Sequence, residues 1–276
     1  MTYLKKTLEY LFVLERGKRA ILLFLISVPA GVTLSFVAPT GMLTEWLSHY
    51  TVGNTDFWFL WNYGGRGLFF WIWLAVLYFL SVFCISVLSS IVSRSLRVGK
   101  FKINSLAEEF NDSFFAGIFT ASLYMILFLV GKTLVTLLMV LWQTVRSVLF
   151  SAVLSGVTLL AVMFGMCVFG SFTLLLLPLM SFNGLRFRPA VAGSVQKCGR
   201  VLWRIVPALA VPLAVLAVSG GLLALIRISL LSKIWDIVAY SMMFPYLVTL
   251  TMVSYYDIEN IPREDYPREY FFRNRK

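Results

Sequence analysis

The sequence predicts an all-α polytopic membrane protein: a bundle of about six transmembrane helices with both termini cytoplasmic and interfacial amphipathic helices. Three observations predict it. First, hydrophobic residues make up 59% of the 276 and charged residues only 13%, with a mean hydropathy of +0.84. Soluble domains carry about 25% charged residues, and so sparse a set cannot cover a soluble surface. Second, segments such as Ile21–Phe36 and Gly67–Val92 are apolar on every face, whereas a membrane β-strand alternates over about ten residues. Third, the basic residues cluster beside the spans. The net charge of +11 therefore reads as orientation by the positive-inside rule and attraction to anionic inner-leaflet lipids. Nucleic acid would require a soluble basic stripe instead.

Residues 1–19 read as a cytoplasmic interfacial helix. Leu4, Leu8, Leu11 and Phe12 fall at i, i+4, i+7 and i+8, with Lys5, Lys6, Glu9 and Glu15 on other faces. Span 1, Ala20–Val37, follows Arg16, Lys18 and Arg19 and is too long for a secretory h-region, so it reads as a signal anchor. Ala38–Arg66 is a polar outer loop whose Trp46, Trp58 and Trp61 suit the headgroup belt. Span 2 is Gly67–Val92. A basic cytoplasmic loop, Ser93–Ser113, contains Arg94, Arg97, Lys100 and Lys102 and a capping box, Ser105 with Glu108.

Phe114–Leu185 is almost unbroken in its apolarity, and length alone allows two or three crossings. Basic segments on both sides of it require an even number. The expectation is span 3 at Phe114–Val130 with room to continue past Lys132, an outer re-entrant or interfacial piece around Lys132–Ser147, and span 4 at Val148–Leu179. Span 5, Leu202–Ile226, contains Pro207 and Pro212, which should kink it. A short outer turn, Arg227–Lys233, leads to span 6, Ile234–Tyr255. The transmembrane domain thus covers 20–256, and 257–276 forms a cytoplasmic tail. Of the 24 Lys and Arg, only Arg66, Lys132, Arg146, Arg227 and Lys233 fall away from the cytoplasmic side.

Catalytic chemistry is not legible. Cys84, Cys167 and Cys198 lie far apart and His49 stands alone, which suits neither a disulfide framework nor zinc. The chain shows no phosphate-binding glycine loop, dinucleotide turn, metalloprotease motif or nucleophile with a base, so the expectation is a non-enzyme without cofactor. Glu108 and Asp112 are spaced like a divalent pair but read as a solvated helix face. Two polar residues within the apolar segments are candidates. Asp236 is expected to pair with Lys233 or Arg227 at the outer interface, with a solute or proton site as the alternative. Lys132 is expected to snorkel at the outer end of a hairpin. Thr120, Ser122, Ser155, Thr158 and Ser171 read as bonding within their own helices. Ala152-x-x-x-Gly156 and Ala210-x-x-x-Ala214 offer close-packing faces.

The candidate lipid or partner contacts are cytoplasmic. Lys100, Phe101 and Lys102 match Arg186, Phe187 and Arg188 as basic-aromatic-basic triplets, each followed by a helix-compatible stretch and a span. The tail adds Tyr266, Arg268 and Tyr270, residue types favoured at interface centres. With six spans, interfacial helices before spans 3 and 5, and a last span ending Ser254-Tyr255-Tyr256-Asp257, the chain resembles the membrane domain fused to bacterial glycerophosphodiester phosphodiesterases and similar multispan proteins. That family's arginine after the aspartate is replaced here by Glu259 and Asn260, and no phosphodiesterase domain is attached. The resemblance implies an accessory or anchoring module and supplies no catalytic residue. The resulting expectation is a non-enzymatic scaffold of a bacterial cytoplasmic membrane. It would work with anionic lipids and a protein partner or a second copy, and not with nucleic acid; the alternative is a small-solute transporter or permease subunit.

Overall fold

A computed structural model describes residues 2–13, 17–38, 57–62, 67–99, 106–144, 147–225 and 229–264. These form helices α1 (Thr2–Leu8, continued as a π-helical turn over Glu9–Val13), α2 (Lys18–Val37), α3 (Phe57–Asn62), α4 (Leu68–Val98), α5 (Leu106–Gln143), α6 (Val148–Thr173), α7 (Leu176–Ser181), α8 (Phe187–Gly199), α9 (Leu202–Leu225) and α10 (Ser229–Ile258). Among the described residues six segments are long and apolar enough to cross a membrane: Lys18–Val37, Leu68–Val98, Ser113–Trp142, Val153–Ser181, Leu202–Leu223 and Leu230–Ile258. The protein is a multi-pass membrane helix bundle. Six crossings place both termini on one face, and the basic bias makes that face cytoplasmic.

The apolar run 114–185 contains two crossings, as charge parity requires. The expected re-entrant piece over Lys132–Ser147 is not there. Nothing breaks the helix between Leu106 and Gln143: the stretch has no proline, and its one lysine is accommodated by aromatic rings. The chain turns only after Gln143. Ser147 then caps α6, its hydroxyl accepting from the Phe150 amide at 3.4 Å.

Contacts between α4 and α5 act as a depth ruler. Ser90 meets Ser113 at 3.4 Å, Tyr78 meets Ser122 at 2.9 Å, and Lys132 stands over Phe70 at 3.9 Å. From Ser113 to Lys132 is about 28 Å at about 1.5 Å per residue, close to the roughly 30 Å of a hydrocarbon core. Beyond Lys132, α5 runs on about three further turns.

The most extensive helix pair is α2 with α10. The succession α4, α5, α6, α9 and α10 closes a ring, and α7 enters it from the cytoplasmic side. The main core lies there, around Leu88, Leu96, Leu175, Leu179, Leu250 and Met252. A smaller outer cluster joins Val37, Trp61, Phe70, Leu74 and Leu77. Proline costs are met locally: Pro212 has no N–H for the Ala208 carbonyl, and the Tyr246 hydroxyl donates to that carbonyl at 2.6 Å.

The N-terminal segment leaves Leu8 and Phe12 of its apolar stripe exposed, the face an interfacial helix offers to lipid, and buries Tyr3, Thr7, Tyr10 and Leu11 against the bundle. The buried face packs on the cytoplasmic ends of α9 and α10 rather than on lipid. Gly17, at φ +79°, then turns the chain into α2, a conformation a Cβ would strain. Among the hydroxyls, Ser171 bonds its own helix through Cys167 O at 2.7 Å. Ser122 and Thr158 instead cross to other helices, Thr158 accepting from Trp142 Nε1 at 2.8 Å.

Candidate site at the cytoplasmic face

The cytoplasmic end of α4 is rich in small hydroxyl residues, and Ser86, Ser89, Ser90, Ser93 and Ser95 are all buried. Small side chains let α5 approach: a Cβ on Gly117 would stand 3.4 Å from Val82 O. Where the two helices meet the end of α10, a cavity of about 410 Å³ opens, lined by Ser93, Ser113, Tyr255 and Tyr256. Phe182 lines it too, its ring centroid 5.5 Å from Tyr255 and 6.4 Å from Tyr256, as do Arg97 and Ile261, both exposed.

Local sequence explains the geometry. Helix α10 runs through Ile258, so Asp257 belongs to its last turn rather than to a separate tail. Asn260 adopts φ +54°, a left-handed conformation asparagine tolerates. The chain reverses there, the Ile261 amide donating to Tyr256 O at 2.9 Å and the Glu264 amide to Leu96 O at 3.0 Å. Ion pairs join Lys6 to Asp257 and Lys197 to Glu259. The Tyr255 hydroxyl donates to Asn183 Oδ1 at 2.8 Å. Six elements of the chain are thus tied together around Tyr255-Tyr256-Asp257.

The break between α6 and α7 has its own support. Ser194 of α8 donates to Phe172 O at 2.7 Å and accepts from the Leu175 amide at 3.1 Å, satisfying both sides of the interruption. Burial pushes the Cys198 thiol above its ordinary value, which suits an inert packing role. Neither Ser194 nor Asn183 was recognised in the sequence. The available signal for Ser194 was the small-residue stripe Ala190, Ser194, Cys198 at helical spacing.

Of the predicted contacts, Arg186 and Arg188 are exposed at the start of α8, and Phe187 stacks on Phe119 at 5.3 Å and 26°. That aromatic turns to the bundle. Lys100, Phe101, Lys102, Tyr266, Arg268 and Tyr270 lie outside the described residues. Asp236 and Lys132 occupy separate environments. Asp236 is buried at 2% exposure on α10, and Lys233, its expected i,i+3 partner, is directed at the Phe36 ring, 4.2 Å away. Arg227, the other expected partner, lies outside the described residues. Lys132 does not simply snorkel: its ammonium stands 4.5 Å from the Trp61 ring centroid and 3.9 Å from that of Phe70. Trp61 is buried against the bundle, whereas Trp58 is exposed. Among the described residues no three His, Cys, Asp or Glu gather where a metal would be held.

Burial, and then the adjacent Asp257 carboxylate, push the Tyr3 phenol from 10.0 up to about 12. The folded state holds this proton more tightly than the unfolded chain. The stabilisation is therefore complete below pH about 10 and lost as pH rises through about 12. In an absorbance titration, the tyrosinate signal that Tyr3→Phe removes should appear as pH rises toward about 12 rather than near 10. A Tyr3→Phe chain that keeps the same pH profile would assign the step to another group.

No family model matches the chain, and no curated protein or solved structure matches it.

Proposed function

We propose that this multi-pass protein is a non-enzymatic accessory or scaffold of a bacterial cytoplasmic membrane, working with a protein partner through its cytoplasmic face. One observation carries the reading. The chain leaving α10 is returned across the end of α4 by the Tyr256 O and Leu96 O hydrogen bonds, so the aromatic and arginine-rich segment after Glu264 starts from a braced platform. Aromatic residues and arginine on such a base are the composition of interface centres. Hydroxyls within the bundle support the scaffold over the permease: Ser27, Ser86, Ser171 and Thr251 each donate to a carbonyl of their own helix, which commits their hydrogens locally. The layout resemblance to the membrane domain of glycerophosphodiester phosphodiesterases agrees with an anchoring module.

The test is truncation after Glu264, which keeps Asp257, Glu259 and Ile261 in place. Helix content and the thermal midpoint in mild detergent should be unchanged, and stability should stay within about 0.5 kcal/mol of the full chain. A partner that co-purifies with the full chain should be lost. Equal recovery of that partner by both forms would overturn the reading.

A further inference from the structure

A second cytoplasmic surface, on α8, has a chemistry that the scaffold reading does not use. We infer that the outward side of α8, with Arg186, Arg188 and Arg200, is a binding surface for the phosphate headgroups of anionic inner-leaflet lipids. The inference rests on the membrane placement of the bundle and needs no protein partner, so it and the truncation result stand or fall separately.

Charge comes first. No Asp or Glu stands between Asp112 and Asp236 in the sequence, so α8 carries nothing to neutralise its own arginines. The acids at the end of α10 are already engaged, Asp257 with Lys6 and Glu259 with Lys197. Arg186, Arg188 and Arg200 are exposed and join no ion pair among the described residues. Helix stability does not account for the first two, because a cation at the start of a helix opposes the macrodipole.

Placement then selects the partner. One face of α8, with Ala190, Ser194 and Cys198, is buried against the bundle. The opposite face carries Arg188, Ala192 and Val195 at i, i+4 and i+7, all exposed. Both ends of the helix are tied to membrane spans: Phe187 stacks on Phe119 of the span Ser113–Trp142, and Leu202, two residues past Arg200, opens the span Leu202–Leu223. Unpaired guanidinium groups are not stable in hydrocarbon, and spans cannot leave the bilayer. The arginines are therefore held at the level of the inner headgroups. Val195, at 43% exposure, and Trp203, at 76%, lie among them, and apolar and tryptophan side chains beside basic ones are the composition of a helix lying at the boundary of headgroups and acyl chains. Arginine also meets a phosphate through two parallel N–H donors. From Arg188 to Arg200 is about 18 Å at about 1.5 Å per residue, so the arginines form an open row along the leaflet rather than one enclosed pocket.

The experiment is native mass spectrometry of the full chain in detergent, titrated separately with phosphatidylglycerol and with phosphatidylcholine of the same acyl chains, which has no net charge. Phosphatidylglycerol should bind about tenfold tighter, and the preference should shrink as salt is raised. Arg186→Gln, Arg188→Gln and Arg200→Gln together should erase it, whereas the same three positions changed to lysine should keep a reduced preference. Three charges removed elsewhere, by Lys5→Gln, Lys18→Gln and Lys233→Gln, should leave it in place. The three arginines are exposed, and an unchanged thermal midpoint confirms folding. A preference that survives the glutamine triple, or that the lysine-to-glutamine triple removes equally, overturns the surface. Inorganic phosphate displacing phosphatidylglycerol at equal concentration overturns the lipid as the source. Loss of a co-purifying protein from the glutamine triple, with the lipid preference intact, would give the face to a protein instead and overturn the proposal as well.

Discussion

Replacing Gly31 by valine should separate α2 from α10 and cost about 3 kcal/mol or more of stability. The two helices form the most extensive pair in the bundle, and Gly31 lies directly against the α10 backbone. A Cβ at position 31 would stand 2.7 Å from the Ser241 backbone nitrogen and 3.0 Å from its Cα. No rotamer change relieves a clash with backbone, so one helix must move. In lipid, helix association depends on such close packing because the acyl chains are as apolar as the side chains. Ala30 beside it is 1% exposed, and on the same helix Ser27 Oγ accepts from Cys84 Sγ at 3.6 Å; displacing α2 would therefore also loosen α4. Even Gly31→Ala should lower the thermal midpoint measurably in mild detergent. Gly156→Ala, where a Cβ meets nothing within 4 Å, should leave the midpoint unchanged. A Gly31→Val chain that unfolds at the wild-type midpoint would show that Ser241 yields without loss.

That contrast marks how far the sequence is legible. Ala152-x-x-x-Gly156 was one of the expected close-packing faces, but its glycine has open space, while among the described glycines Gly31 of span 1 carries the tightest approach. Spans are legible because each must be apolar along its whole length to exist in a bilayer at all, and the parity of 114–185 follows from charge. Faces are not legible, because against lipid an apolar side chain is equally at home inside or outside the bundle. The second, buried face of α1 was not legible for a related reason. A leucine stripe announces an apolar face, but Tyr3, Thr7 and Tyr10 can be buried only because the ends of α9 and α10 are waiting for them. The candidate site was glimpsed through Tyr255-Tyr256-Asp257, whose partners Lys6, Asn183 and Phe182 come from two distant parts of the chain.

Replacing Trp61 by alanine should destabilise the outer half of the bundle by about 3 to 5 kcal/mol. Trp61 is 6% exposed although it lies on the short helix α3. Its indole Nε1 donates to Thr133 Oγ1 at 3.3 Å, its ring meets Phe70 edge-on at 5.4 Å, and it stacks on Trp71 at 5.7 Å. The Lys132 ammonium stands over both Trp61 and Phe70. Removing the indole thus opens a cavity and also takes one of two aromatic faces from a half-buried cation. The second loss can be isolated. Lys132→Met keeps an unbranched chain of similar length without the charge, so in a Trp61→Ala background it should cost about 1 to 2 kcal/mol less than in the wild type. Trp58→Ala, at 66% exposure, supplies the contrast and should shift stability by no more than about 0.5 kcal/mol. Chemical unfolding of the four members of the cycle in mild detergent measures the coupling directly. Strict additivity would mean that the two rings pack beside Lys132 without holding its charge, and the continuation of α5 beyond Lys132 would then rest on helix propensity and its contacts with α3 and α6.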